Sequence, residues 1–423
     1  MTAVQISSVR AIEVLDSRGR PTVAVWVTSS DDVTGHCSIP SGASTGSGEA
    51  VERRDGDPKR FGGLGVLRAV EAVNGEIAEL LTSRKWPDLE HVDLALIELD
   101  GTHNKFRLGA NAILGASVAV ARTMAATAGA PLWSWLAPDG VQPRLPVPHF
   151  NVVNGGAHAP NQLDFQEFMI APLGAPTIAE AVRAGAEVYT MLRSLLTDLG
   201  HHTGLGDEGG FAPEITEPEE VLRLLTEAID GAGYRAGRDG VTIALDPAAS
   251  GFRQVDGSYR VGGQRLSAAD LVDRYAAIIE RYPVWSIEDG LGEDDDDGWR
   301  LLTDRLGERV QLVGDDSFVT DPDRIRQAAE AGIANAALIK PNQIGTMSQC
   351  LEAMATCRRL GYAQMVSHRS GETSDDLIAD LAVGLGSGQL KSGAPARGER
   401  VAKYNRLLEI ESINADLPYG LPG

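Results

Sequence analysis

Six short apolar runs in the second half of the chain each deliver an ionisable residue at or just past their last position. They are VTIALD ending at Asp246, WSIED carrying Glu288, QLVGDD carrying Asp315, AALIK ending at Lys340, QMVSH ending at His368 and GQLK ending at Lys391. An uninterrupted apolar run suits a parallel strand buried on both faces, and an ionisable residue at its C-terminal end is where a β/α barrel places its chemistry. From Glu288 to Lys391 these strand ends recur about every 25 residues, which is roughly one strand, one helix and two short loops. Amphipathic periodicity predicts helices near residues 179–199, 218–232, 268–281, 323–331 and 347–360. The interval from Asp246 to Glu288 is longer, and HFNVVNGG and FMIAPL lie too close together for a βα unit. The pattern therefore predicts an irregular barrel whose opening holds a hairpin.

The first third of the chain reads differently. Residues 4–27 alternate like strands around a DSRGRP turn, a Gly/Ser loop follows at 41–48, and helical periodicity dominates 65–128. Strands followed by helices, without βα alternation, indicate a small α+β domain. The proline-punctuated PRLPVP at 143–148 marks the boundary, giving an N-terminal domain at 1–140 and a barrel at 141–423. The fold class is thus α/β, a small α+β domain ahead of an irregular eightfold β/α barrel.

Charge narrows the partners. With 59 acidic against 38 basic residues the formal charge is -21, which opposes binding to nucleic acid or anionic lipid. The most apolar stretch, LGANAILGASVAVA, stops at Arg122, short of the ~20 residues of a membrane span. Charges fall where a signal peptide would carry its apolar core, and Cys37, Cys350 and Cys357 form neither a disulfide framework nor a metal-site spacing. A cytoplasmic enzyme acting on a small molecule is expected.

Asp246, Glu288 and Asp315, from three successive strands, would converge at the barrel mouth. All-oxygen ligation favours a hard cation such as Mg2+ and counts against zinc, although each of these acids taken alone suits a helix cap equally well. Lys340, at least partly desolvated beside a metal, is expected to have a lowered pKa and to serve as a base. Glu208 in GDEGGFAP and Glu167 in QEF are candidates for an acid pair sharing one proton, with His158 nearby in the sequence. SGASTG at 41–46 has the donors of a phosphate cradle or lid, or is a plain surface loop; it lacks the lysine of a P-loop. Arg369, Ser370 and Lys391 would hold an anion. The chemistry indicated is proton abstraction beside a carboxylate, followed by loss of a group from the neighbouring carbon.

DSRGRPTV, PSGASTG, LGANAILG, FNVVNGG, QEFMIAP, GDEGGFAP, SIED, GDD, NQIGT, SHRSGET, IADLAVG and VAKYN occur in this order along almost the whole chain, which resembles the enolases, the phosphopyruvate hydratases. The resemblance implies that Lys340 removes the C2 proton of 2-phosphoglycerate and that Glu208 helps hydroxide leave C3, with Glu167 and His158 as partners. It implies two Mg2+ ions, one on Asp246, Glu288 and Asp315 and one reached by Ser44, and substrate contacts from Gln166, Lys340, His368, Arg369, Ser370 and Lys391. It also implies a homodimer or higher assembly. Departures from the usual pattern include Pro160, Pro247, Gly251, Gly290, Pro341 and Ser392. They leave open a second reading, an enolase-like paralogue acting on a related phospho- or phosphono-carboxylate in a specialised biosynthetic pathway.

Overall fold

The computed structural model describes residues 3–42 and 46–422. The alternating N-terminal segment forms β1 (Val4–Leu15), β2 (Pro21–Ser29) and β3 (Thr34–Ser38), and the two-residue β4 (Lys85–Trp86) completes an antiparallel sheet of order β3-β2-β1-β4. The strands β3 and β4 go beyond the sequence expectation, because TGHCS and KW are too short or too polar to show a pattern. The helix Ala110–Thr127 packs on β2 and β3 with nearly every residue buried. Its apolarity therefore serves the core of the small unit, and among the described residues no helix is long and apolar enough to cross a membrane. Strand and helix touch at Gly35, where a Cβ would lie 2.2 Å from Ala119 O, so any side chain there would force the layers apart.

The second unit contains β5 (Val147–Asn154), β6 (Glu167–Ala171), β7 (Thr242–Asp246), a small hairpin of β8 (Tyr259–Val261) and β9 (Gln264–Leu266), then β10 (Val284–Glu288), β11 (Gln311–Gly314), β12 (Ala336–Ile339), β13 (Ala363–Ser367) and β14 (Gln389–Lys391). Eight of these close into a barrel of order β10-β11-β12-β13-β14-β5-β6-β7. Only β6 runs antiparallel to its neighbours, which is the irregular opening that the close spacing of the first two runs predicts. The β8–β9 hairpin stands outside the barrel and occupies the long interval between Asp246 and Glu288. Strands β7, β10, β11 and β12 are buried along their whole length, and this two-sided burial is why they read as continuous apolar runs.

The small unit is tied across the barrel mouth. Arg122 pairs with Asp375 and Asp376, each at 2.8 Å, while Ser41 N donates to Gly371 O at 2.8 Å and Gly371 N donates to Ser41 O at 2.9 Å. Ser41 thus anchors the start of the Gly/Ser loop beside Arg369 and Ser370; Ser44, within that loop, lies outside the described residues.

Candidate active site

Asp246, Glu288 and Lys391 end β7, β10 and β14, while Asp315, Lys340 and His368 stand one residue past β11, β12 and β13. Glu167 reaches the same end of the barrel from the opposite direction, as the first residue of antiparallel β6, in register with Asp246. His158, Gln166, Glu167, Glu208, Asp246, Asp315, Lys340, His368, Arg369, Ser370 and Lys391 line one cavity of about 720 Å³. Glu288 does not line it and meets it through Lys391.

Lys391 Nζ lies 2.8 and 2.9 Å from the two Glu288 oxygens, 3.1 Å from Asp246 Oδ2 and 3.1 Å from Glu167 Oε2. Burial works against its charge, yet the attraction of Asp246, Glu167 and Glu288 holds it well above the usual lysine range. It is a fixed cation. Burial, with repulsion from Asp246, in turn pushes Glu288 well above the carboxylate range. Lys391→Met leaves these acids without their common partner, and breaking a buried pair costs about 3–5 kcal/mol. Urea unfolding of chelator-treated protein should show that loss as a lower midpoint; an unchanged midpoint would mean that the acids relieve their repulsion without Lys391.

Lys340 Nζ is hydrogen-bonded to Asp315 Oδ2, whose other oxygen accepts from Gln343 Nε2 at 2.9 Å. The expectation of a lowered Lys340 pKa is corrected here. Burial is the largest single effect and pushes it down, but the attractions of Asp315 and Glu288 together hold the amine above the lysine value. Pro341, one of the unusual residues, opens the helical turn that follows and leaves Lys340 extended at φ -126° and ψ 103°. A proline disfavours helical geometry in the residue before it, so Pro341 helps fix the direction of Lys340.

His158 Nδ1 stands 3.5 Å from Glu167 Oε1 and 3.6 Å from Glu208 Oε1. Burial raises Glu167 well above the carboxylate range and the nearby Glu208 raises it further, so the expected shared proton rests on Glu167 in this arrangement. Burial also raises Glu208, but the attractions of His368 and His158 overturn this and hold it well below the range. Burial pushes His368 down to about 3, so at pH 7 it meets Glu208 as a dipole and not as a full charge. We take His368 as neutral at pH 7, since its ring is sealed from water, and Glu208 as less strongly lowered than a charged partner would make it.

The residues expected to bind an anion already have protein partners. Arg369 Nη1 lies 2.9 Å from Glu49 Oε2 and donates to Asn342 Oδ1 at 3.1 Å, while Arg18 donates to Ser370 Oγ at 3.2 Å. Glu49 and Arg18 come from the small unit and were not expected from the sequence. Their only signals were proximity to the Gly/Ser loop and membership of the DSRG turn.

Two family descriptions cover the chain: "Enolase, N-terminal domain" matches residues 6–136 and "Enolase, C-terminal TIM barrel domain" matches residues 142–419. The chain belongs to the enolase family. A similar enolase, from Rubrobacter xylanophilus, is 53% identical over 409 residues, covering 96% of this chain and 94% of that protein. The family is one of lyases, the phosphopyruvate hydratases, and this enolase-family chain is an enzyme of that class.

The donor set of this enolase site fits a hard divalent cation. Its buried acids are Glu167, Glu208, Asp246, Glu288, Asp289 and Asp315, against Lys340 and Lys391, with Arg369 already paired to Glu49. Carboxylate oxygens outnumber the nitrogen donors His158 and His368, and such a set suits Mg2+. Among the described residues, ligand atoms within 4.8 Å of one another occur in two groups, His158–Glu167–Glu208 and Asp289–Asp315–Asp316. The expected set is therefore divided: Asp246 and Glu288 share Lys391, while Asp315 sits with Lys340 and the Asp289–Asp316 pair.

Proposed function

We propose that this protein carries out the Mg2+-dependent, reversible dehydration of 2-phosphoglycerate to phosphoenolpyruvate in glycolysis and gluconeogenesis. The observation that carries the reading is the meeting, in one cavity, of an amine at Lys340, a carboxyl pair at Glu208 and Glu167, and the cations Arg369 and Lys391. Such a cavity can take a substrate bearing both phosphate and carboxylate. In this reading Arg369 and Ser370 receive the phosphate, and Lys391, Gln166 and His368 border the carbon skeleton. The Lys340 amine, once relieved of its pairing with Asp315, takes the C2 proton. Glu208 takes up the proton that rests on Glu167, with His158 beside both carboxyls, and passes it to the hydroxide leaving C3. Asp246, Glu288 and Asp315 would hold one Mg2+ and Ser44 would reach a second, supplying positive charge that stabilises the dianion formed on loss of the C2 proton.

The test is absorbance of phosphoenolpyruvate formed from 2-phosphoglycerate. Chelation should abolish turnover and added Mg2+ should restore it, within the ordinary ~1–1000 per second of metabolic enzymes. Folded, Mg2+-supplemented protein that fails to turn over would overturn the assignment. The proposal extends to a division of the chain at residues 140/141, a cytoplasmic location and a homodimer or higher homo-oligomer, the last tested by mass in solution.

A further inference from the structure

Arg400 lies in the C-terminal helix Gly398–Ile413, outside the barrel strands, yet it is 0% exposed. Its guanidinium reaches back under the cavity. Nη1 stands 2.6 Å from His368 Nδ1 and 2.6 Å from Arg369 O, and Nη2 donates to Ser370 O at 2.6 Å and Asp207 O at 3.2 Å. The seat is closely fitted: a Cβ at Gly393 would lie 2.9 Å from Arg400 Cδ, and Gly393 also has φ +75°, so both space and backbone favour glycine there.

A guanidinium has only donors and keeps its proton at any ordinary pH. His368 Nδ1 must therefore be the acceptor, and the single hydrogen of the neutral ring belongs on Nε2. That nitrogen faces Glu208 Oε2 at 3.2 Å. A second proton, on Nδ1, would set one N–H against another. We infer that Arg400 is a positioning residue that locks His368 in its neutral Nε2–H form, so that His368 donates toward Glu208 and does not serve as the acid itself.

The surroundings agree with this assignment. Burial, Arg400 and Lys391 all oppose a charge on His368, and Glu208 is the group that favours one; together they leave it at about 3. Glu399, 3.4 Å from Arg400 Nε, offsets part of the guanidinium charge without approaching the ring nitrogen that Arg400 engages. The role in proton traffic rests on the dehydration reading above, whereas the ring's hydrogen position does not depend on substrate.

The experiment is nitrogen NMR of full-length protein labelled at histidine, with His368→Asn to identify the resonance. Wild-type His368 should carry its hydrogen on Nε2 and show no titration between about pH 5 and 8. Arg400→Lys, which keeps a donor, should preserve that form. Arg400→Met should admit the Nδ1–H form or bring a titration into the window, and kcat should fall roughly 10- to 100-fold with added loss on the acid side. Wild-type His368 that titrates in the window, or carries its hydrogen on Nδ1, would overturn the proposal even if the methionine variant does not fold. So would an unchanged ring in folded Arg400→Met, because a purely structural arginine would lower thermal stability alone. Failure of wild-type enzyme to dehydrate 2-phosphoglycerate would instead strike the reaction reading and leave the NMR result standing.

Discussion

Alanine at Lys340 is expected to stop exchange of the substrate's C2 proton with solvent and to lower dehydration by about 10⁴-fold, the upper end of what a positioned base contributes. The geometry makes this a demanding test, because Lys340 pairs with Asp315 and is held above the lysine value in the arrangement described. A base needs its lone pair, so the amine must lose both its proton and this partner before it can act. Positive charge beside Asp315 weakens the pair and lowers the amine, which is the direction base catalysis requires. The measurement is loss of the C2 proton signal of 2-phosphoglycerate in deuterated water, with circular dichroism to confirm folding. Exchange at the wild-type rate in a folded Lys340→Ala protein would remove Lys340 from the role of base.

The ease with which the strand ends can be read has a physical origin. A strand buried on both faces must be apolar throughout, so Asp246, Glu288, Asp315, Lys340 and Lys391 each interrupt a run that otherwise has no charge. The antiparallel β6 also left a mark, because its first strand partner lies nearer than a crossover helix permits. What could not be read were contacts between units. Glu49 and Arg369 are 320 residues apart, and nothing in either segment announces that one neutralises the other. Arg400 was equally hidden, since an arginine on an amphipathic helix reads as a solvated side chain until the helix is seen to press against His368. The charge state of Lys340 is hidden for a related reason: its desolvation follows from the apolar run, but its direct pairing with Asp315 depends on the adjacency of β11 and β12. Pro341 reverses the lesson, because a residue first noted as unusual acts through the elementary restriction that proline places on the residue before it.

Glutamine at Glu208 should separate the two halves of the reaction. Glu208 Oε2 accepts from Asn151 Nδ2 at 3.0 Å and faces His368 Nε2 at 3.2 Å, while Oε1 lies 3.6 Å from His158 Nδ1. The amide has nearly the same shape, so the cavity and Lys340 should be little disturbed, but it cannot deliver an acidic proton to a departing hydroxide. C2 exchange is therefore expected within roughly tenfold of wild type, while dehydration falls by about 10²- to 10⁴-fold, the usual range for a positioned acid. The neighbouring Glu167 does not replace it, because its Oε2 is held by Lys391 at 3.1 Å on the side of Asp246 and Glu288. Exchange and product formation are to be followed in the same sample, by proton NMR and by phosphoenolpyruvate absorbance. If both fall together, Glu208 is needed before the C2 proton leaves and must be reassigned to positioning; if neither falls, the proton reaches hydroxide by another route, with Glu167 as the first group to replace.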